Sequence, residues 1–481
     1  MRVKLKWSSS NDNYLTVVGK IIMTVRNNLV ANTYYQEYKD KLISAAAAAS
    51  LIQSGNKILY AVFVGRPTDF DLALGKRKEE LFDVQITQCG GNNIGPDSSA
   101  FADPGQQHFT SNSWFFDGVD RKLHDKDMMY YNPCQFGQLQ DIIGGDLFPY
   151  DIYVQKVSPM DKHGFFSFGV ANVNSLESCL GAKKVILEVN ENMPRVPGGS
   201  EDAVHISMVD YIIESANTPL LVLPPSREPS PADIAMAEQL LPEIPDRACL
   251  QLGIGSLPNL LGDLLCHSDL KDLGIHTEMF VDSMVNLFES GKVTNRYKST
   301  DRCKITCTFS IGSRSTYEFM NKNPLMASHC GRYTNNARLI ACNDNFISIN
   351  NTVMMDLFSQ ACSESSGPRQ ISGTGGQIDF INGSWFSQGG KSFLCLTSTY
   401  TDKHGQLRSR IVPTLPSGSI VTTARTFIDY VVTEYGKVQL KGKPTWHRAE
   451  QLISIAHPQF RDELVREAAA MNIWRRTNKI E

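Results

Sequence analysis

Residues 249–265, CLQLGIGSLPNLLGDLL, read as a short buried strand, a glycine turn and a helix. Glycines at the carboxyl end of a strand let backbone N–H groups approach a ligand, and the N-terminus of the next helix favours negative charge. As a dinucleotide fingerprint the stretch fails, because Pro258 stands where GxGxxG needs its third glycine. These residues alone leave a tight structural turn and a ligand cradle both open.

Outward from this unit the chain alternates strand and helix. Tyr34 to Ser54, with the alanine run Ala45 to Ala49 and Gly55 as a stop, is expected as a helix, and Ile58 to Val64 as a buried strand. A helix is expected over Phe70 to Leu81. Asp151 to Val157 and Lys184 to Val189 are apolar, β-branched runs of the kind found in parallel strands buried on both faces. Pro219 to Pro231 holds five prolines in thirteen residues, which no sheet or helix interior accepts, so a linker is placed there. Ser230-Pro231-Ala232-Asp233 then carries a cap, a proline at the first helical position and an acid that completes a capping box. Further strands (Cys249 to Leu252, Ile347 to Ile349, Phe393 to Leu396, Ile428 to Thr433) and helices (Leu257 to Leu265, Ala449 to Ile455, Arg461 to Met471) follow. The expected organisation is an appendage over residues 1–22 and two α/β halves, residues 23–222 and 232–481, with no residue-level repeat between them.

At 481 residues, 42% hydrophobic and 20% charged, the chain suits two or three globular domains. A net charge of −3 with mixed signs gives no basic face for nucleic acid or an anionic membrane, so local features must hold any anionic ligand. Apolar runs such as Ile58 to Val64 are far below the roughly 20 residues of a membrane span. The polar stretch Trp7 to Asn13 argues against an export signal. Eleven scattered cysteines without a CxxC pair fit reduced, mostly buried thiols in a cytoplasm.

The second chemical stretch is Asp272 to Met279, DLGIHTEM, which puts Glu278 in an apolar window. An ionised carboxylate is costly there unless it is hydrogen-bonded or used. His276-Thr277-Glu278 resembles the HxE half of a zinc deaminase signature, but Pro133-Cys134-Gln135-Phe136-Gly137 lacks the second cysteine, so no metal is expected. No GxSxG elbow is present either. For Glu278 the roles of general base, covalent nucleophile and buried structural acid stay open at this point. Ser372 to Phe380, SGTGGQIDF, is a second glycine loop, and Ser387 to Lys391, SQGGK, adds a lysine; together they suit a phosphate or oxyanion site. His163, in the turn-rich loop Ser158 to Phe165, reads as a solvated loop histidine.

Several blocks, in order, resemble the acetyl-CoA hydrolase/transferase family, and within it the 4-hydroxybutyrate CoA-transferase branch. They are VSPMDKHGFFSFG (157–169), VILEVNENMPRVPGG (185–199), LQLGIGSLPN (250–259), DLGIHTEMFVDS (272–283), SGTGGQIDF (372–380), SQGGKSF (387–393), VVTEYG (431–436) and LISIAHPQFR (452–461). The resemblance implies two tandem open α/β domains of the CoA-transferase (NagB/RpiA-like) type with the active site at their junction. It makes Glu278 a covalent nucleophile that attacks an acyl-CoA and becomes a glutamyl-CoA thioester. It assigns oxyanion donors to the backbone of Ile254, Gly375 and Gly376, and CoA contacts to Gln251, Leu252, Gly253, Ile254, Gly255 and Gly376; a contact from Lys391 is added as an expectation. Coenzyme A and its acyl esters are then substrates, no cofactor is tightly bound, and a homodimer is the default assembly.

Two departures from the family pattern bear on substrate choice. Phe280-Val281-Asp282-Ser283 stands in place of FSDG, and Met355-Asp356-Leu357-Phe358-Ser359-Gln360 in place of VDLxGQ, which loses a glycine at Ser359. The leading expectation is CoA transfer between acetyl-CoA and a short acid such as 4-hydroxybutyrate. Itaconate, succinate or butyrate as the acid, an acetyl-CoA hydrolase, and a CoA-binding regulator without turnover are the alternatives.

Overall fold

The computed structural model describes residues 34–91, 95, 97–223 and 227–477. The expected appendage over residues 1–22 lies outside them. Two sheets organise the chain. The first is built from β1 (Lys57–Tyr60), β2 (Val84–Gln88), β3 (Phe109–Ser113), β4 (Tyr130–Tyr131), β5 (Ile152–Val157), β6 (Lys184–Val189) and β7 (Tyr211–Glu214). Its seven strands run in the order β4-β3-β2-β1-β5-β6-β7, and every pairing is parallel. The second contains β8 (Cys249–Leu252), β9 (Gly274–Ile275), β10 (Phe346–Asn351), β11 (Lys391–Cys395), β12 (Tyr430–Thr433) and β13 (Gly436–Gln439). Its order is β9-β8-β10-β11-β12-β13, parallel except for the closing β12–β13 hairpin.

Predominantly apolar runs become central strands because both faces are covered. Every residue of β5 and of β8 is buried. The expected pair Asp151 to Val157 and Lys184 to Val189 is realised as neighbours in register, Tyr153 opposite Val185 and Val157 opposite Val189. Helices pack on the sheets; Pro231–Leu240 starts with the capping box read from the sequence, Ser230 accepting from Asp233 N while the Asp233 side chain accepts from Ser230 N. The proline-rich stretch before it has no regular structure in its described part.

Three early elements differ from expectation. The helix over Tyr34 to Ser54 is broken: Leu42 bridges to Ile212, Ile43 N donates to Ile212 O (2.9 Å), and Ser44 caps a new helix, Ala45–Ser50. The strand over Ile58 to Val64 ends at Tyr60, because Phe63 turns to φ +43 and opens a 3-10 turn, Phe63–Gly65. The helix over Phe70 to Leu81 stops at Gly75 and resumes as a 3-10 turn, Lys78–Glu80.

The halves share one apolar cluster that runs from Leu59 to Val432. Backbone hydrogen bonds strap them together: Ser310 N to Val170 O (3.0 Å), Gly331 N to Val173 O (2.7 Å) and Phe136 N to Gly375 O (3.0 Å). Loops at the carboxyl ends of both sheets meet at this seam, the usual place for a ligand in open α/β sheets.

Candidate active site

Glu278 is positioned by its strand. β8 and β9 pair in parallel, with Leu250 opposite Ile275, and His276 N extends the ladder to Leu250 O (3.1 Å). The Gly253–Gly255 turn and Glu278 therefore leave adjacent strands at the same carboxyl edge. On the other side Thr277 N donates to Thr306 O (3.0 Å), and Glu278 O accepts from Thr308 N (3.1 Å) and Phe309 N (3.2 Å). The backbone on both sides of the carboxylate is thus pinned.

The side chain is partly accessible, and Asn335 Nδ2 donates to Glu278 Oε2 at 2.7 Å. Gly376 lies directly against this pair: a Cβ there would stand 2.1 Å from Glu278 Oε2 and 2.2 Å from Asn335 Nδ2. Only glycine permits that approach. Gly376 is also the N-cap of the helix Gln377–Phe386, so the positive end of a helix dipole faces the carboxylate. Burial among protein atoms, opposed by the Asn335 hydrogen bond and reinforced by the nearby Asp379 charge, pushes the Glu278 carboxyl up to about 8.

Asp379, on the first turn of the same helix, is only 4% exposed. It accepts from Asn335 Nδ2 (3.1 Å), from Gly137 N (3.0 Å) and from Gln135 Nε2. Burial raises its carboxyl to about 6, against these three donors. His276 is fully buried; its Nε2–H donates to Thr334 O (2.7 Å), and burial lowers its pKa to about 3, so the ring is neutral. The histidine thus ties the residue two before Glu278 to the residue immediately before Asn335.

An aromatic wall completes the surroundings. Phe309, whose N–H holds Glu278 O, stacks on Phe63 at 4.7 Å, and Phe63 meets Phe115 edge-on at 5.8 Å. A Cβ on Gly375 would lie 3.7 Å from the Phe115 ring. Phe63 and Phe115 come from the first half and Phe309 from the second, so the wall spans the seam.

Of the residues expected from sequence, Gly376 is against Glu278, with Gly375 next to it in chain, and Gly253, Ile254 and Gly255 lie on the neighbouring strand end. The Ile254 side chain is 48% exposed, and Gly255 takes φ +120 as N-cap of Ser256–His267. Leu252 is buried in β8. The Gln251 amide is engaged internally, Oε1 accepting from Ser348 Oγ (2.7 Å) and Asn350 Nδ2 (3.1 Å). Lys391 is not brought to Glu278. It opens β11 at the amino end, at the opposite edge of the sheet from the Gly253–Gly255 turn, and its Nζ is ion-paired with Glu243 Oε2 (2.8 Å). His163 is an exposed loop residue. Asn335, Asp379 and Gln135 were not singled out from sequence. Asp379 lay inside the SGTGGQIDF block, but Asn335 has no local signal. Ser359, which stands in place of the glycine of VDLxGQ, itself adopts φ +64.

Among the described residues no group of His, Cys, Asp or Glu side chains is placed to hold a metal, and no helix is long and apolar enough to cross a membrane. The model of the acetyl-CoA hydrolase/transferase N-terminal domain matches residues 26–224, and that of the C-terminal domain matches residues 312–468. The chain belongs to the acetyl-CoA hydrolase/transferase family. Glu278 itself lies between the two matched segments. Within the family the chain is 47% identical over 447 residues to a probable butyrate:acetyl-CoA coenzyme A-transferase of Syntrophomonas wolfei, covering 92% of this chain and 98% of that one. It is 40% identical to the 4-hydroxybutyrate coenzyme A transferase of Clostridium kluyveri, over 89% of this chain and 97% of that one. The structure of RipA from Yersinia pestis superposes with a TM-score of 0.83 at 35% identity, over 92% of this chain and 99% of RipA. Both curated relatives are CoA-transferases, and this chain is an enzyme of that type.

Proposed function

We propose that the protein moves CoA between acetyl-CoA, or a similar short acyl-CoA, and a short-chain monocarboxylic acid through a covalent thioester on Glu278. The observation that carries this reading is the Glu278 carboxylate itself, held by Asn335 and Gly376 at a helix N-terminus and costly to ionise where it lies. A desolvated carboxylate is a better nucleophile than a hydrated one, and nucleophilic catalysis divides one difficult transfer into easier steps.

The steps balance without water. A Glu278 oxygen attacks the acyl-CoA carbonyl, the C–S bond breaks, and a glutamyl anhydride and CoA thiolate form. The thiolate attacks the glutamyl carbonyl and expels the first acid, leaving the glutamyl-CoA thioester. An incoming carboxylate reverses the sequence. Each attack creates an oxyanion. Asn335 Nδ2 already donates to Glu278 Oε2, so it suits the oxyanion formed on the glutamyl carbonyl. Backbone N–H groups of Ile254, Gly375 and Gly376 are assigned to the acyl oxyanion, and Gly253–Gly255 to the thiol end of CoA. Removing one preorganised donor of this kind typically costs about 10²–10³ in rate.

The aromatic wall of Phe63, Phe115 and Phe309 favours an uncharged acyl chain. Butyrate and 4-hydroxybutyrate, named for the two relatives, come before succinate and itaconate. The eleven free thiols suit a reducing cytoplasm, and a homodimer remains the assembly to test by light scattering. The test of the reaction is to supply acetyl-CoA with one acid at a time and follow acyl-CoA products. Butyryl-CoA or 4-hydroxybutyryl-CoA with release of acetate is expected. Free CoA without a new thioester makes the enzyme a hydrolase.

A further inference from the structure

Asn335 can serve Glu278 only with its nitrogen, not its oxygen, turned to the carboxylate. Rotating the amide by half a turn would place Oδ1 against Glu278 Oε2 and repel the ionised nucleophile. Nothing in Asn335 itself chooses between the two orientations. Its Oδ1 finds no hydrogen-bond partner among the described residues, so the choice is made on the nitrogen side. There Nδ2 meets two carboxylates, Glu278 Oε2 at 2.7 Å and Asp379 Oδ2 at 3.1 Å.

We propose that Asp379 is a positioning residue that fixes the donor orientation of Asn335, and that Gln135 and Gly137 of the first half hold Asp379 in its acceptor-only form. Gln135 Nε2 and Gly137 N both donate to it, leaving no role for a protonated Asp379. The contact crosses the seam, next to the bond from Phe136 N to Gly375 O (3.0 Å). A Cβ on Gly137 would stand 3.0 Å from both Asp379 oxygens, so the loop is seated closely on the carboxylate. The nucleophile's hydrogen bond in the second half thus depends on the docking of the first. The charged or titratable groups around Asp379 are Glu278, through Asn335, and the Cys134 thiol. The proposal rests on Glu278 being the nucleophile.

The test uses full-length Asp379→Asn, Asn335→Ala and the double variant, with single-turnover formation of the Glu278 thioester from acetyl-CoA, KM, and the pH profile as readouts. Asparagine at 379 keeps the volume but can donate to Asn335 Oδ1, which allows the amide to turn. Asp379→Asn is expected to slow thioester formation about 10- to 100-fold with KM changed less than about twofold. Loss of the Asn335 hydrogen bond, which outweighs the opposing loss of the Asp379 charge at Glu278, should also move the acid limb of the rate to higher pH. The double variant should be no slower than Asn335→Ala alone, because the two residues act in series. A wild-type rate in Asp379→Asn, or losses that multiply in the double variant, overturns the proposal. Should Asp379→Asn not fold, Gln135→Met removes one donor across the seam; a smaller slowing is expected, and an unchanged rate overturns the proposal. Failure of the Glu278 reading looks different: the wild-type protein would turn over without label on Glu278.

Discussion

Replacing Gly376 by alanine puts one methyl group into the catalytic contact. The backbone there, φ −99 and ψ 11, is open to any residue, so the strain falls on the site rather than on the chain. The new Cβ would stand 2.1 Å from Glu278 Oε2 and 2.2 Å from Asn335 Nδ2. Van der Waals contact needs about 3.5 Å, so a partner must retreat by about 1 Å or more. Overpacking of this sort costs about 1–3 kcal/mol of stability. A misplacement of about 1 Å at a reacting group costs about 100-fold in rate, close to 2.7 kcal/mol of barrier. Gly105→Ala is the control, since its nearest contact would be an ordinary 3.6 Å. The assay is rapid-quench formation of the enzyme-CoA thioester, with thermal unfolding measured in parallel. A folded Gly376→Ala protein that forms the thioester at the wild-type rate refutes the placement of the carboxylate and, with it, the reason glycine is required.

Other expectations follow from the same geometry. With the Glu278 carboxyl raised to about 8, thioester formation should rise with pH and level off above about 8; a profile flat from pH 5 upward counts against a desolvated nucleophile. The same raised pKa has a stability sign. Between the unfolded value near 4.5 and the folded value near 8 the native state binds the extra proton, so its contribution is fully present below 4.5 and lost as pH rises through 8. Glu278→Gln should therefore gain stability over wild type as pH increases across that window, while losing transfer activity; equal denaturation midpoints at pH 5 and pH 9 would contradict it. Ser230→Ala removes the capping box of Pro231–Leu240 and should cost about 1 kcal/mol in chemical denaturation without altering the transfer rate.

The parallel strands were legible because burial on both faces leaves a predominantly apolar run, as in Val185 to Leu187 of Lys184–Val189. The capping box was legible because its parts lie within four residues. What escaped depended on partners far along the chain. Nothing local to Leu42 announces Ile212, whose pairing breaks the first helix. The end of β1 likewise follows from Phe63 N reaching Cys89 O (3.0 Å). The site divides in the same way. Glu278 and the glycine turns stand out as residues expensive or unusual where they are. Asn335 is an ordinary polar residue until folding brings it to Glu278 and Asp379. Lys391 lies at the amino end of a strand parallel to β8, at the opposite edge of the sheet from the Gly253–Gly255 turn, and Glu243 holds its charge. Ser359 takes a left-handed backbone, φ +64, with Arg448 Nη1 donating to its Oγ at 2.6 Å.

The central claim is that CoA passes through a bond to one carboxylate. Incubating the wild-type protein with acetyl-CoA, trapping with borohydride or hydroxylamine and mapping the modified peptide by mass spectrometry tests it directly. Label on Glu278 alone, absent from Glu278→Ala, is the expected result. Turnover that continues with no label on Glu278, or with label on another residue, would contradict it.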